Sequence, residues 1–266
     1  MISFPNAKIN LGLRIVEKRQ DGYHNIETCF YPIPLRDALE IVPATDFSFT
    51  QTGLSLDSAP DYNLVMKALN LFREKYDVPP LSIFLKKAIP IGSGLGGGSA
   101  DAAFMLRLLN TYTSQNLSDK ELEIMAAEIG ADCPFFIQNM PVIASGIGNI
   151  FDSIALSLQG YRLCVIKPDL AVSTQEAYDS IIPAKPSVSL QEILQRPVKE
   201  WKETLTNDFE PYIFQKHPII AEIKSYLYAR KAIYAAMSGS GSAVFGLFDK
   251  YTTISFSDCY IWKGVL

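Results

Sequence analysis

The sequence predicts an α+β protein folded as two domains. Three observations carry that expectation: short runs alternating apolar and polar residues mark strands, longer segments with apolar residues at helical spacing mark helices, and the pattern resets near residues 155 to 160. At 266 residues the chain can bury a substantial core, so the domains are drawn as 1–156 and 157–266.

The first strand covers Asn6 to Ile15, where Ala7, Ile9, Leu11, Leu13 and Ile15 alternate with Asn6, Lys8, Asn10, Gly12 and Arg14. A period of two places Lys8 and Asn10 on one face, and alternation by itself points to a solvated face. Asp21-Gly22 is a turn signal that closes a hairpin, with Tyr23 and His24 just beyond it. Glu27 to Tyr31, Leu39 to Val42 and Phe47 to Thr50 are strand-like runs punctuated by prolines. An amphipathic helix spans Asn63 to Tyr76 and is halted by Pro79-Pro80. Leu81, Ile83 and Leu85 alternate into a strand that delivers the chain to Lys86, Lys87 and a glycine-rich run.

That run has five glycines, Gly92, Gly94, Gly96, Gly97 and Gly98, and leads into Ser99 to Leu109, which lacks Gly and Pro and is apolar on most of its circumference. A buried helix fed by such a loop presents unpaired N–H groups and the positive end of its dipole, a ready site for phosphate. Ser118 with Glu121 forms a capping-box signal for the next helix. It ends at Gly130, and Pro134 blocks continuation, which holds Asp132 on a tight connection before an apolar run. An aspartate there can simply bond to neighbouring backbone N–H groups. In the second half, Arg162 to Ile166 reads as a strand, Ser173 to Ile182 as a helix, 189–206 as polar helical segments and Pro218 to Arg230 as a helix. Met237 to Phe248 holds a second glycine-rich turn between apolar strands, and the segment from Asp249 carries no usable signal.

Net charge is −4 with no basic run, which makes nucleic acid and anionic membrane poor partners. No stretch approaches eighteen consecutive apolar residues and no basic segment leads into an apolar one at the start, so a cytoplasmic protein with no membrane anchor and no obligate protein partner is expected. Cys29, Cys133, Cys164 and Cys259 are scattered without paired spacing, as buried small side chains are rather than a zinc site or disulfide framework.

The glycine run fits three patterns. A Walker A loop fails, because no Lys-Ser or Lys-Thr follows the last glycine. A dinucleotide fingerprint fits Gly92-x-Gly94-x-x-Gly97, but the acidic residues some twenty positions on open a helix rather than end a strand. The third pattern, Pro-x-x-x-Gly-Leu-Gly, small residues and a helix, resembles the phosphate loop of the galactokinase, homoserine kinase, mevalonate kinase and phosphomevalonate kinase (GHMP) superfamily. Ala7-Lys8-Ile9-Asn10-Leu11 with Asp21-Gly22-Tyr23-His24 is similar to the N-terminal signature of one branch of it, the 4-diphosphocytidyl-2-C-methylerythritol kinases. Gly130-Ala131-Asp132-Cys133-Pro134-Phe135-Phe136 and the 237–248 turn match two further motifs in order, so the resemblance covers almost the whole chain.

That resemblance implies a GHMP-kinase fold: an N-terminal ribosomal-protein-S5-domain-2-like domain and a C-terminal ferredoxin-like domain, with ATP and substrate meeting between them. It implies transfer of the γ-phosphoryl group of ATP to the 2-hydroxyl of a cytidine-diphosphate methylerythritol, in non-mevalonate isoprenoid synthesis. Asp132 would receive or aim the hydroxyl proton, and Lys8 would orient Asp132. Pro90, Ile91, Gly92, Ser93, Gly94, Leu95, Gly96, Gly97, Gly98, Ser99 and Ala100 would hold the phosphates, with Asn63 and Lys87 towards the adenine. Tyr23 and Tyr178 would sandwich the cytosine, with Asn10 and His24 supplying polar contacts. Mg²⁺ is expected with the ATP, with no protein ligand assigned. Asn149 stands where the family commonly has Glu. Two other readings remain: another small-molecule kinase of the superfamily, which should lack the Asp-Gly-Tyr-His turn, and a non-catalytic nucleotide-binding regulator, which should have lost Lys8 or Asp132.

Overall fold

A computed structural model describes residues 1–54, 63–178 and 181–266. The chain forms two compact units that interleave along the sequence: Met1–Ala7, Leu35–Ile91 and Gly96–Met140 in one, Lys8–Pro34, Gly92–Leu95 and Pro141–Leu266 in the other. The boundary expected near residue 156 falls in the connection between β8 (Ile150–Ser153) and β9 (Arg162–Pro168), so the units are not two successive halves of the chain.

In the first unit, β1 (Ile2–Ser3), β4 (Ala38–Pro43), β6 (Leu81–Lys87) and β5 (Ser48–Gly53) form one sheet in that order. β4 runs antiparallel to β6, with Ile41 opposite Ile83, and β5 runs parallel to it. Helices α1 (Leu64–Arg73), α2 (Gly97–Tyr112), α3 (Asp119–Ile129) and α4 (Phe135–Gln138) accompany this sheet. The second helix is the centre of the unit, touching α1, α3, α4 and β4 and burying Ala100, Asp101, Ala102, Ala103, Met105, Leu106, Leu108 and Leu109. This is the buried helix that its unbroken apolar circumference predicts. Ser118 and Glu121 close the capping box at the start of α3 as their spacing predicts. Gly130 ends that helix with φ −178°, an extended conformation open to any residue. The apolar run after Pro134 is a helical turn, α4.

The second unit holds two sheets. β2 (Asn6–Lys18) and β3 (His24–Arg36) are joined through the Asp21-Gly22 turn and continue into β7 (Val142–Ser145) and β8, with the first two residues of β2 and the last two of β3 counted in the other unit. The other sheet has the order β10 (Tyr234–Met237), β11 (Val244–Phe248), β9 and β12 (Cys259–Val265), all antiparallel. Helices α5 (Thr174–Tyr178), α6 (Leu190–Leu194), α7 (Glu210–Lys216) and α8 (Pro218–Ala229) complete it, with Ile213, Ile220, Ile223 and Leu227 packed on Cys164, Ile166, Met237 and Val244. The helix expected over 173–182 is α5 as far as Tyr178; residues 179 and 180 lie outside the described residues.

Two expectations are corrected here. Every residue of β2 from Asn6 to Leu13 is buried, Lys8 and Asn10 included, so this part of the strand has no solvated face. Alternation reports which side chains are apolar, and polar ones are buried when they bond to one another, as these do. The segment after Asp249 is not featureless: it supplies β12, paired along its whole length with β9. Its half-buried edge position left no alternation to read.

Asn207 fastens the second glycine-rich turn. Its Nδ2 donates to the carbonyls of Met237 (2.9 Å) and Gly239 (2.8 Å), and its Oδ1 accepts from the Phe209 N–H at 3.0 Å. Asn207→Ala leaves three buried backbone groups without this partner and is expected to cost at least about 2 kcal/mol, read from the urea unfolding midpoint.

Candidate active site

In the second unit the site is built around Lys8. Its Nζ donates to Asn10 Oδ1 at 2.7 Å and lies 4.5 Å from the centre of the Phe30 ring, while its backbone N–H donates to the Leu95 carbonyl at 2.9 Å. Asn10 is held in turn: Nδ2 donates to Thr28 Oγ1 at 3.0 Å, and the Thr28 hydroxyl donates to the Gly12 carbonyl at 2.5 Å. The neighbour on the same face of a strand thus fixes the ammonium, a buried cation stabilised by an amide dipole and an aromatic face. Asn10, expected to contact substrate, has its amide engaged in orienting Lys8.

Residues Gly92 to Leu95 meet the second glycine-rich turn backbone to backbone. Ser238 Oγ donates to the Gly94 carbonyl at 2.9 Å and receives the Asn10 N–H at 3.2 Å, and the Ala243 N–H donates to the Ser93 carbonyl at 3.1 Å. Gly94 has φ +75°, and a Cβ there would stand 1.9 Å from the Ser238 carbonyl oxygen. Only glycine fits. Ser93 is buried within this contact and Ile91 is exposed.

At the hairpin end of the same unit, the Asp21 carboxylate accepts the Tyr23 N–H at 3.1 Å and pairs with Arg19, which leaves the Tyr23 ring 62% exposed. His24 stacks on Tyr178, with ring centres 4.9 Å apart and planes within 18°, and Tyr178 meets Phe209 edge-on. Burial and the charge of Lys18 lower the His24 pKa, so the imidazole is neutral at pH 7. Tyr178 therefore pairs with His24 here. Glu210, unmarked in the sequence, accepts the Met237 N–H at 2.8 Å and a Lys224 ammonium at 2.6 Å.

In the first unit, Gly96, with φ +72°, caps α2, and Gly97, Gly98, Ser99 and Ala100 form its first turn. A Cβ on Gly97 would lie 2.7 Å from Ile89 Cγ2, which lets the helix sit down on the end of β6. Asp132 is half-buried in the turn between α3 and α4. Next to it, the Cys133 thiol is buried, and burial pushes its pKa up to about 12, so it stays protonated.

Asn63 and Lys87 have structural partners. Asn63 is the N-cap of α1, its Oδ1 accepting the Val65 N–H at 2.9 Å while Nδ2 donates to Gln51 Oε1 at 2.8 Å. Asn before an apolar helix is a capping signal that sequence reading could have used. Lys87 is buried and ion-paired to both Asp37 and Asp101. Nothing local in sequence links these two carboxylates to it, since Asp37 is fifty positions away. Asn149 lies in the β7–β8 turn, where its Oδ1 accepts the Ile147 N–H. Among the described residues no three His, Cys, Asp or Glu side chains gather as a metal cluster, and no helix is long and apolar enough to cross a membrane.

On stability, Gly94→Ala is expected to lose about 2 to 4 kcal/mol, because both the methyl clash and the positive φ oppose it. Gly98→Ala, whose Cβ would meet only Leu64 at 3.5 Å, is expected to stay within about 0.5 kcal/mol of the parent or gain slightly. Thermal unfolding of the two variants side by side measures the contrast.

Comparison with known proteins places the chain. Residues 63–140 match the GHMP kinases N-terminal domain and residues 189–255 the GHMP kinases C-terminal domain. A protein of Parabacteroides distasonis named 4-diphosphocytidyl-2-C-methyl-D-erythritol kinase is 59% identical over 270 residues, covering all of both chains. A protein of the same name from Bacteroides fragilis is 55% identical over 273 residues, again covering both completely. A crystal structure of 4-(cytidine 5'-diphospho)-2C-methyl-D-erythritol kinase superposes with a TM-score of 0.80 at 32% identity, over 93% of this chain and 90% of that one. The chain belongs to the GHMP kinases, in the family of the 4-diphosphocytidyl-2-C-methyl-D-erythritol kinases.

Proposed function

We propose that this enzyme transfers the γ-phosphoryl group of ATP to the 2-hydroxyl of 4-diphosphocytidyl-2-C-methyl-D-erythritol, a step of non-mevalonate isoprenoid precursor synthesis. The observation that carries the reading is the full-length likeness to proteins of that name, together with a glycine loop that runs into a buried helix. The hydroxyl oxygen forms the new bond to phosphorus, the bond from the γ-phosphorus to the β-bridging oxygen breaks, ADP leaves, and the hydroxyl proton passes to Asp132. Lys8 supplies positive charge for the transferring group. Because phosphoryl transfer has a loose transition state, holding the groups in line matters more than basicity.

The loop from Pro90 to Ala100 holds the phosphates through backbone N–H groups and the N-terminus of α2. Tyr23 offers an exposed ring for the cytosine, with His24 and Tyr178 presenting a stacked pair on the same unit. Mg²⁺ would accompany the ATP and neutralise phosphate charge, with no protein ligand assigned to it. Asn63 and Lys87 act near the adenine through the backbone that they fix.

Asp132→Ala is expected to lower kcat at least about a hundredfold with little change in ATP affinity, measured by ADP release. Near-normal turnover in that variant would remove Asp132 from the chemistry. Tyr23→Ala is expected to raise the KM for the cytidyl substrate by about five- to a hundredfold, the loss of one stacking partner, with the KM for ATP unchanged. Running homoserine and mevalonate beside the cytidyl substrate tests the assignment itself: phosphorylation of either in preference to the cytidyl compound would overturn it.

A further inference from the structure

Wholly within the first unit lies a charge cluster whose two carboxylates the mechanism does not use. The Lys87 ammonium, at the end of β6, is bonded to both Asp37 and Asp101, and all three side chains are 3% exposed or less. Asp37 Oδ1 also accepts the N–H groups of Ala88 (2.5 Å) and Ile89 (2.8 Å), the two residues that lead into the loop. Asp101 stands in the second turn of α2, on the far flank of the loop. The cluster therefore ties the strand before the loop to the helix after it.

Two carboxylates and one ammonium sealed from water would leave a net buried charge, which is costly unless a proton balances it. The hydrogen bonds say where that proton resides. Asp37 accepts three N–H donors, as a carboxylate does. Asp101 receives only Lys87, its Oδ1 has no partner, and its carboxyl lies within hydrogen-bonding reach of Asp37. A proton on Asp101 turns an orphaned acceptor into a donor toward Asp37 and brings the cluster to neutrality.

We propose that Asp37, Lys87 and Asp101 form a one-proton staple, with Asp37 the carboxylate and Asp101 the neutral acid, and that it sets the ATP affinity of the loop by fixing its two flanks. Asp101 and Asp37 are positioning residues. Burial raises the Asp101 pKa to about 8, with Lys87 opposing and Asp37 adding to the shift. Burial alone would lower the Lys87 pKa, but Asp101 and Asp37 outweigh it and raise it. Lys87 on β6 and Asp37 ahead of β4 are the charged groups that act on Asp101. The side chains that α1, α3 and α4, packed on the same helix, bury are apolar: Val65, Ala68, Leu69 and Phe72; Leu122, Met125 and Ala126; Phe135, Phe136 and Ile137.

The proposal rests on the reading that the loop binds ATP, and Asp101→Asn and Asp101→Leu test both parts of it. Asparagine mimics the neutral acid, accepting from Lys87 and donating to Asp37; leucine keeps the size and the Asp37–Lys87 pair but cuts the tie to α2. In the native protein the Asp101 proton is lost from the unfolded chain near pH 3.8 but kept in the fold up to about 8, so this group makes stability fall as pH rises between those values. Asp101→Asn is expected to be at least as stable as the parent, with an advantage that grows from about pH 5 to about pH 8, and to keep the KM for ATP within about twofold. Asp101→Leu is expected to raise the KM for ATP by about tenfold or more with kcat within about threefold, as a misplaced loop does. A stability difference between parent and Asp101→Asn that does not change with pH would place the proton elsewhere and overturn the staple. An unchanged KM for ATP in Asp101→Leu, in an enzyme where Gly94→Ala does raise it, would overturn the positioning role and leave the loop assignment standing. If neither variant moves it, the loop reading itself fails.

Discussion

The close approach of two backbones constrains everything else in the second unit. The Ser238 carbonyl occupies the space that a side chain on residue 94 would fill, and the Ser238 hydroxyl bonds to the Gly94 carbonyl. Two segments some 140 residues apart are thereby locked in register, with Ala243 bonding to Ser93 on the other side. Lys8 joins the same structure through the Leu95 carbonyl, and Asn10 through Ser238. Glycine at 94 does more than confer flexibility. It allows main chain to be fixed by main chain, the stiffest support available to a glycine-rich segment.

The two sequence-marked lysines show how burial can divide similar residues. Lys8 is set by an amide oxygen and an aromatic face, Lys87 by two carboxylates. An amide orients an ammonium and leaves its formal charge in place; a carboxylate cancels it. Lys87 is therefore a part of the scaffold whose influence passes through the backbone at Ala88 and Ile89.

Much of this was legible in the sequence because it is local. The glycine run into an apolar helix, the Ser118–Glu121 box and the Asp21-Gly22 turn are decided by residues within a few positions of one another, and each folds as its spacing predicts. What was hidden depends on partners far away in the chain. Lys8 and Asn10 alternate like a solvated face and are buried because Thr28, Phe30 and Ser238 cover and bond them. Asp37 is an ordinary acidic residue between two strands until β6 brings Lys87 and the N–H groups of Ala88 and Ile89 against it. Asn207 has no motif around it, yet it holds the turn that holds the loop. β12 lacks alternation, and its short apolar run Cys259 to Trp262 gives no period to read, so its pairing with β9 is what shows it as a strand.

These hidden contacts share one purpose with the visible motif. In a loose phosphoryl transfer little new bonding exists at the transition state for a base to assist, so rate comes from holding donor, acceptor and positive charge in line and from having them fixed in advance. A carboxylate is in general a weak base at neutral pH and an effective aiming group, which is the demand this chemistry makes. The polar groups buried around Lys8, around Lys87 and at Asn207 are correspondingly arranged to immobilise main chain and an ammonium rather than to generate a strong base. Pre-organisation of that kind is costly to build from polar side chains, since each must be matched within the interior, and the near-complete hydrogen-bonding of these clusters is what makes a glycine loop, the least rigid of local sequences, serve as a rigid one.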